Sequence, residues 1–431
     1  MALTFCRGRF LELEKYWLLP ILLGFVIGLA VFVMVCIYRI LNHVSLLIVN
    51  FDPIFIFAST VIAILGGYLT VKFFADSKGC GCGTELVIER YHHKSGFVSL
   101  RDTVSKTLAS AITIGFGGSA GLEGPSLLLG GGISSFITRR LGLSQKDVKA
   151  LFLCGAAAGF SAIFKAPLTG ILFALEIPYR RDVETEVFVP ASIASVTAYF
   201  TSAMTLGTET IFSSSTLVTP TFPTLMHAIS IGVLTAFVAL AFMGIFEKMN
   251  ALSMWLSMRI PPLLMCVFAG LMLGLIGFFH LEVLWLGYDF IHKIITTDLG
   301  RLSITTLIAV LILKILATSL TLNFGGSGGL FVPSIYVGGT LGLIYAQIMG
   351  LKPTILYVTL AMSALLAATS KSLLTSISLI AETVGPSSII LALISSSISY
   401  FLTGSRSFYK SQLTSKVDAG IPHASMDKHS F

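Results

Sequence analysis

The chain has 431 residues, 55% of them hydrophobic and only 11% charged, with a mean hydropathy of +0.90. A soluble domain carries about 25% charged residues, so this composition excludes a water-soluble globule and points to an integral membrane protein with many spans. The net charge of +7 would suit a nucleic-acid partner in a soluble protein, but here the basic residues gather at segment ends and both termini, as membrane topology requires, and no nucleic acid is expected.

Closed β-barrels alternate apolar and polar residues. The apolar runs here are continuous, so the spans are read as helices. Residues 1–16 mix charge and aromatic side chains, as a short interfacial helix would. The first span is read over Trp17–Ile37, without a small-residue cleavage site, and the second over Ile54–Phe74 after a turn at Asn50–Pro53. Asp76 to Arg101 is polar; glycines open it, and LVIERYHH (Leu86–His93) predicts a short helix. His92-His93 is too weak a signal for a metal site and reads as a solvated loop pair.

Thr107–Phe136 is apolar and Arg139–Lys149 a basic connection. The small residues Gly155–Gly159 suit close helix packing in lipid. Val187–Ala203 ends the first half, and the Ser/Thr/Pro stretch Thr208–Pro223 reads as a linker. Apolar runs near 225–246, 262–280 and 303–322 follow, then Ile355–Leu366, Leu373–Val384 and Ile389–Leu402. The polar tail from Thr403 is expected to fray. The resulting division is an N-terminal cytoplasmic or interfacial segment 1–16, a first membrane repeat 17–205, a linker 206–223, a second repeat 224–403 and a C-terminal cytoplasmic segment 404–431. Arg7, Arg9 and Lys15 before the first span, and Arg406, Lys410, Lys416 and Lys428 after the last, put both termini in the cytoplasm. His280, Trp17, Trp255 and Trp285 read as anchors at the membrane interface. The six cysteines form no disulfide framework, Cys80-Gly-Cys82 lacks a second pair for zinc, and no cofactor or metal is expected.

Two segments recur. FGGSAGLEGPSLLLGG (Phe116–Gly131) returns 208 residues later as FGGSGGLFVPSIYVGG (Phe324–Gly339), identical without a gap at ten of sixteen positions. KAPLTGILFALE (Lys165–Glu176) returns 206 residues later as KSLLTSISLIAE (Lys371–Glu382), with Lys, Leu, Thr, Ile and the final Glu in common. Two echoes in the same order at nearly the same offset indicate an internal duplication; spacing alone leaves the repeats parallel or inverted. Gly/Pro-interrupted apolar segments in corresponding positions of two halves point to a transport site.

Irregular backbone at membrane depth must line a cavity or be buried in protein. A glycine turn that opens a helix presents free N–H groups and the positive dipole end, so two such turns meeting near the midplane make an anion site without a full positive charge. Gly121–Pro125 and Gly329–Pro333 are read as that site; Gly130/Gly131 and Gly338/Gly339 are read as packing glycines. Glu123 is a carboxylate at membrane depth, costly and a functional candidate by default. At a helix N-terminus it takes the place of a permeating anion and vacates it on protonation, so one residue can be gate and proton carrier; the alternative is a cap for local N–H groups.

These motifs resemble the CLC family of chloride channels and proton-coupled chloride transporters. GLEGP (Gly121–Pro125) is similar to its GREGP, GGLFVP (Gly328–Pro333) to its GxFxP, GCGTE (Gly81–Glu85) stands where it has GSGIP, and SFYKSQL (Ser407–Leu413) resembles the segment with its central tyrosine. The likeness runs over about residues 20–413. It implies an all-α polytopic membrane protein, with two inverted-topology repeats whose broken, re-entrant helices meet at a central anion site. It also implies a homodimer with one pathway per subunit, in contact with membrane lipid and carrying chloride and protons. It makes Glu123 the gating glutamate, the N–H groups of Leu330 and Phe331 anion ligands beside Gly121, Gly124 and Gly329, and Tyr409 the hydroxyl closing the inner side. Cys82 stands where a serine hydroxyl contacts the anion, and a chain ending soon after Tyr409 suits a prokaryotic cell membrane.

The departures are Leu122 for Arg, Cys82 for Ser and Glu85 for Pro. A thiol is a weaker donor than a hydroxyl, so Cys82 either shifts anion preference or is a small packing residue. Glu85 is an acid of a helix N-terminal region, or tunes anions at the inner mouth. Ile177 follows Glu176 where many exchangers have a second, proton-relaying glutamate; Glu176 itself reads as a structural helix-end carboxylate. The leading expectation is chloride/proton antiport, with a passive pH-gated chloride channel as the alternative. An intramembrane enzyme would need two polar catalytic residues on facing spans, and only Glu123 is clearly so placed.

Overall fold

The computed structural model describes residues 14–77, 79–208, 220–296 and 302–418. These residues form sixteen α-helices: α1 Leu19–Phe51, α2 Ile56–Phe74, α3 Gly83–His93, α4 Leu100–Gly115, α5 Glu123–Arg140, α6 Gln145–Phe164, α7 Pro167–Glu176, α8 Phe188–Leu206, α9 Phe222–Ser257, α10 Pro262–Phe279, α11 Tyr288–Thr296, α12 Ile304–Asn323, α13 Phe331–Ile348, α14 Thr354–Ser370, α15 Leu373–Thr383 and α16 Ile389–Leu402. Eight helices are long and apolar enough to cross a membrane, and the protein is a multi-pass integral membrane protein. Local chemistry sets several boundaries. Ser99, Ser144 and Ser303 cap α4, α6 and α12 by accepting from the N–H three residues on. Lys165 and Lys371 end α6 and α14 in the left-handed region, at φ 54° and 56°.

Each of α1–α8 has its counterpart eight helices later. The helices α5 and α13 have 18 residues each and begin 208 positions apart, and α5 packs on α6 as α13 packs on α14. Small residues allow this approach. A Cβ on Gly130 would run into the Gly155 carbonyl, one on Gly159 into that of Ser126, and one on Gly338 would lie 2.6 Å from that of Ala361. Packing therefore accounts for Gly130 and Gly338.

The repeats are inverted. At the C-terminal end of α7, Glu176 accepts from Leu374 N at 2.8 Å and from Thr375 N and Oγ1 at 2.8 and 2.6 Å, at the start of α15. Near the end of α15, Glu382 accepts from Leu168 N at 3.0 Å and from Thr169 N and Oγ1 at 2.8 and 2.6 Å, at the start of α7. Two equivalent helices that cap each other's N-termini run antiparallel, as a two-fold axis between them requires. Glu176 is thus engaged as a helix cap.

Several expectations need correction. The apolar runs read over Trp17–Ile37 and near 225–246 are longer than read, because α1 continues to Phe51 and α9 to Ser257. His92 and His93 end α3, and His92 is no solvated loop residue: its Nε2 lies 2.8 Å from the Pro178 carbonyl, and its ring is edge-on to Tyr91 and Tyr179. Trp285 is no interface anchor; it is 9% exposed, holds φ 51°, and its indole donates to the Gly115 carbonyl at 3.2 Å. Trp17 and Trp255 are exposed. The segment after Thr403 does not fray before Asp418: Arg180 N donates to Leu413 O and Arg181 N to Thr414 O. The interfacial helix of residues 1–16, the centre of the linker and the last thirteen residues lie wholly or largely outside the described residues.

Candidate functional site

The two glycine turns are built alike and lock into each other. Gly117 and Gly325 hold φ 108° and 111°, open to glycine and strained for other residues, and reverse the chain after α4 and α12. Gly118 N then donates to Thr113 O at 2.8 Å and Gly326 N to Thr321 O at 3.0 Å. The next contacts cross between repeats. Ser119 N donates to Thr321 Oγ1 at 3.1 Å and Ser327 N to Thr113 Oγ1 at 3.2 Å. Ser119 Oγ meets Thr318 Oγ1 at 3.1 Å, and Ser327 Oγ meets Ser110 Oγ at 2.9 Å. The hydroxyl pairs Thr113/Thr321 and Ser110/Thr318 were not singled out in the sequence, although each pair keeps the offset of 208; they lie outside the glycine-rich window that draws attention.

Gly121 and Gly329 exchange backbone hydrogen bonds of 2.9 and 2.8 Å, and Gly81–Cys82 (β1) pairs parallel with Ser327–Gly328 (β2). This brings the N-termini of α3, α5 and α13 together. A Cβ on Gly83 would lie 2.6 Å from the Gly124 carbonyl, and one on Gly124 would lie 3.1 Å from that of Gly328. Three helix N-termini aimed at one region favour negative charge there.

Glu123 supplies that charge. It is 1% exposed, and its Oε1 accepts from Phe331 N at 2.7 Å; Oε2 is buried without a hydrogen-bond partner among the described residues. A Cβ on Gly121 or Gly329 would collide with the Glu123 carboxylate, so the absence of side chains there gives the carboxylate its seat. The Phe331 ring is set edge-on against Phe160 at 5.1 Å and Phe173 at 5.8 Å, which packs the first residue of α13 against α6 and α7. Leu330, 1% exposed, immediately precedes α13.

Cys82 immediately precedes α3 and, with Leu330 and Glu85, lines a cavity of about 800 Å³ that also meets Lys106 and Lys410. Tyr409, 1% exposed, has Cys82 and Glu123 among its electrostatic neighbours. Its segment is pinned on several sides: Phe408 N donates to Thr369 O at 3.0 Å, Ser411 N and Oγ donate to Glu85 Oε1 at 3.0 and 2.7 Å, and Gln412 Nε2 donates to the carbonyls of Ile177 and Ser370 at 3.0 Å. Glu85 lies in the first turn of α3 and ties this segment down. All eight candidate positions, Gly121, Glu123, Gly124, Gly329, Leu330, Phe331, Cys82 and Tyr409, fall in one region. Ile177 is 1% exposed and brings no ionisable group. Among the described residues no cluster of three metal-ligating side chains occurs.

Inverted eight-helix repeats whose broken helices meet head to head around a carboxylate define a polytopic membrane transport protein of the ion-conducting type. The family model described as voltage gated chloride channel matches residues 59–404, and the chain belongs to that family, the CLC family. It is 27% identical over 409 residues to an uncharacterized protein of Methanocaldococcus jannaschii, covering 94% of this chain and 97% of that one. It is 28% identical over 288 residues to the voltage-gated ClC-type chloride channel ClcB of Escherichia coli, covering 65% and 67%. Among solved structures, a CLC-type fluoride/proton antiporter superposes with a TM-score of 0.82 at 25% identity, over 94% of this chain and 98% of the other.

Proposed function

We propose that this protein carries chloride across the membrane in exchange for protons, with Glu123 as gate and proton carrier. The observation that carries the reading is the seat of the Glu123 carboxylate on the Phe331 N–H at 2.7 Å, at the dipole end of α13. A charged carboxylate there competes with a permeating anion for the same donors. Protonation removes its charge and weakens its hold, and the anion takes its place; one group thereby links the two ions. Leu330, Phe331, Gly121, Gly124 and Gly329 contribute the backbone side of the anion site, and Cys82 and Tyr409 its inner side. The antiporter neighbour supports proton coupling, and the chloride channel relative supports chloride as the anion.

The functional unit in this proposal is a homodimer with one pathway per subunit. It sits in a prokaryotic cell membrane with both termini cytoplasmic, each subunit divided into repeats 17–205 and 224–403. Its task is transport rather than catalysis. A passive, pH-gated chloride channel is the second reading, favoured by Ile177, which offers no inner proton acceptor beside the capped Glu176.

Reconstitution into liposomes separates the two. An inward chloride gradient is expected to drive protons outward against their own gradient in an exchanger. Fast chloride flux with no proton movement would make the protein a channel. Glu123→Gln is expected to abolish proton coupling and leave chloride flux independent of pH, whereas wild-type flux rises as pH falls because protonation frees the site. A Gln variant that keeps the wild-type pH profile would remove Glu123 from the gate.

A further inference from the structure

We propose that Glu85 is the inner proton acceptor of the exchange, passing protons between the cavity beside Cys82 and the Glu123 carboxylate. The inference rests on the exchange reading above and gives Glu123 the inner partner that Ile177 does not supply.

Among the described residues, two carboxylates keep a buried oxygen without a hydrogen-bond partner: Glu123, through Oε2, and Glu85, through Oε2. The other acids drawn away from solvent are engaged on both oxygens. Glu176 caps α15, as described above. Glu184 takes Lys416 Nζ on Oε1 and Tyr91 Oη on Oε2. Asp102 takes Ser77 N on Oδ1 at 2.9 Å and lies 3.9 Å from Arg90 through Oδ2. An ionised oxygen buried without a donor is costly, and a native fold keeps such an atom where a water or a proton serves it.

The position of Glu85 joins the cavity to the gate. It is partly buried in the first turn of α3 and lines the cavity of about 800 Å³, so a proton from cavity water reaches it. Thr84, one residue earlier and 1% exposed, also has its hydroxyl buried without a partner. It faces Gly124, the residue after Glu123: a Cβ there would lie 3.2 Å from Thr84 Oγ1. Tyr409 has Thr84 and both carboxylates, Glu123 and Glu85, among its neighbours. Three unpartnered oxygens, on Glu85, Thr84 and Glu123, thus gather around one tyrosine.

A hydroxyl or a water both donates and accepts, so each can take up one proton and release another. Glu85 gains its proton from the cavity, gives it up along this route to the Glu123 carboxylate and returns to its charged form. Ser411 N and Oγ hold Oε1, which keeps Oε2 in place for the transfer. Glu89 lies one turn along α3, Arg180 follows α7, and Cys82 and Tyr409 stand on the anion-site side. Arg90, Lys106 and Lys410 share the cavity. No cation among the described residues reaches ion-pair distance of Glu85, so no salt bridge locks it in the charged form.

Chloride and proton fluxes recorded together from the full chain in liposomes test this. Glu85→Gln keeps an acceptor for Ser411 and loses the titrating group. Its ratio of proton to chloride flux is expected to fall about a hundredfold, as on loss of a positioned proton-transfer group. Chloride flux should still rise as pH falls, because Glu123 is still protonated from the outer side; that separates the variant from Glu123→Gln. Glu186→Gln, at an exposed carboxylate paired with Lys146, should keep the wild-type ratio. A wild-type ratio in Glu85→Gln would overturn the proposal, and a change common to both fluxes would then report anion repulsion or a loosened Tyr409 segment. Wild-type chloride flux without proton movement would overturn the exchange reading itself, and the role of Glu85 with it. Should Glu85→Gln fail to fold, Thr84→Val, which removes the hydroxyl and keeps the side-chain shape, is expected to lower the ratio in the same way. An unchanged ratio there would equally overturn the proposal.

Discussion

Glu123 leaves one oxygen without a partner while the other takes the Phe331 N–H. Such an arrangement is stable only while the helix N-termini around it favour the charge, which makes the seat responsive to a proton. Gly121 and Gly329 leave room for it, and Gly329→Ala should push the carboxylate off the Phe331 N–H, because the added Cβ meets Glu123 directly. Expected is chloride flux with a flattened pH profile, approaching that of Glu123→Gln. A profile identical to wild type would mean that the carboxylate is not held by this seat. Cys82→Ser replaces a weak donor with a stronger one and should alter the ratio of chloride to other halide fluxes. Identical ratios would make Cys82 a packing residue.

At the level of elements, the reciprocal caps of α7 and α15 hold the two repeats together at their axis. Glu176→Ala leaves two backbone N–H groups and a hydroxyl of α15 without acceptors, a loss of about 1–2 kcal/mol by analogy with other cap deletions. Glu176→Gln keeps an acceptor and should lose less. Both variants are expected to keep proton coupling in liposomes, since the carboxylate acts as a cap; uncoupled flux from a well-folded Glu176→Gln would assign it a proton-handling role instead. The α5–α6 contact is tighter still. Gly130→Leu must separate two backbones in contact and should cost about 3 kcal/mol or more, read as a lowered unfolding midpoint or loss of monodisperse protein.

Across the whole molecule, the segment that carries Tyr409 closes onto the first repeat. Lys416 Nζ pairs with Glu184 Oε1 at 2.9 Å, Tyr91 Oη donates to Glu184 Oε2 at 2.8 Å, and Arg180 N donates to Leu413 O at 2.8 Å. Glu184→Ala removes an ion pair that is buried on the acid side and about one-third exposed on the lysine side. The loss should be about 1–3 kcal/mol, below the value for a fully buried pair because solvent reaches Lys416. Faster tryptic cleavage at Arg406, Lys410 or Lys416 would report the loosened segment. Unchanged cleavage would show that Glu85 and Gln412 hold it alone.

What the sequence determined by itself follows from local, periodic physics. Long apolar runs must be helices because lipid offers no backbone partners. The duplication is an arithmetic fact of the chain, and the glycine turns with Glu123 between them mark the site because carboxylates and irregular backbone are costly at that depth. Only the tertiary structure decided how the halves relate. That the repeats are inverted rests on which N-terminus each of Glu176 and Glu382 caps, and that the motifs meet rests on the Gly121–Gly329 and Glu123–Phe331 hydrogen bonds. Trp285 carries the composition of an interface anchor and the segment after Thr403 that of a frayed tail, yet both are ordered by partners more than a hundred residues away in the chain: Gly115 for one, Arg180, Arg181 and Glu184 for the other. Contacts at such separations leave no local signature in composition or periodicity, and that is why the structure was needed to find them.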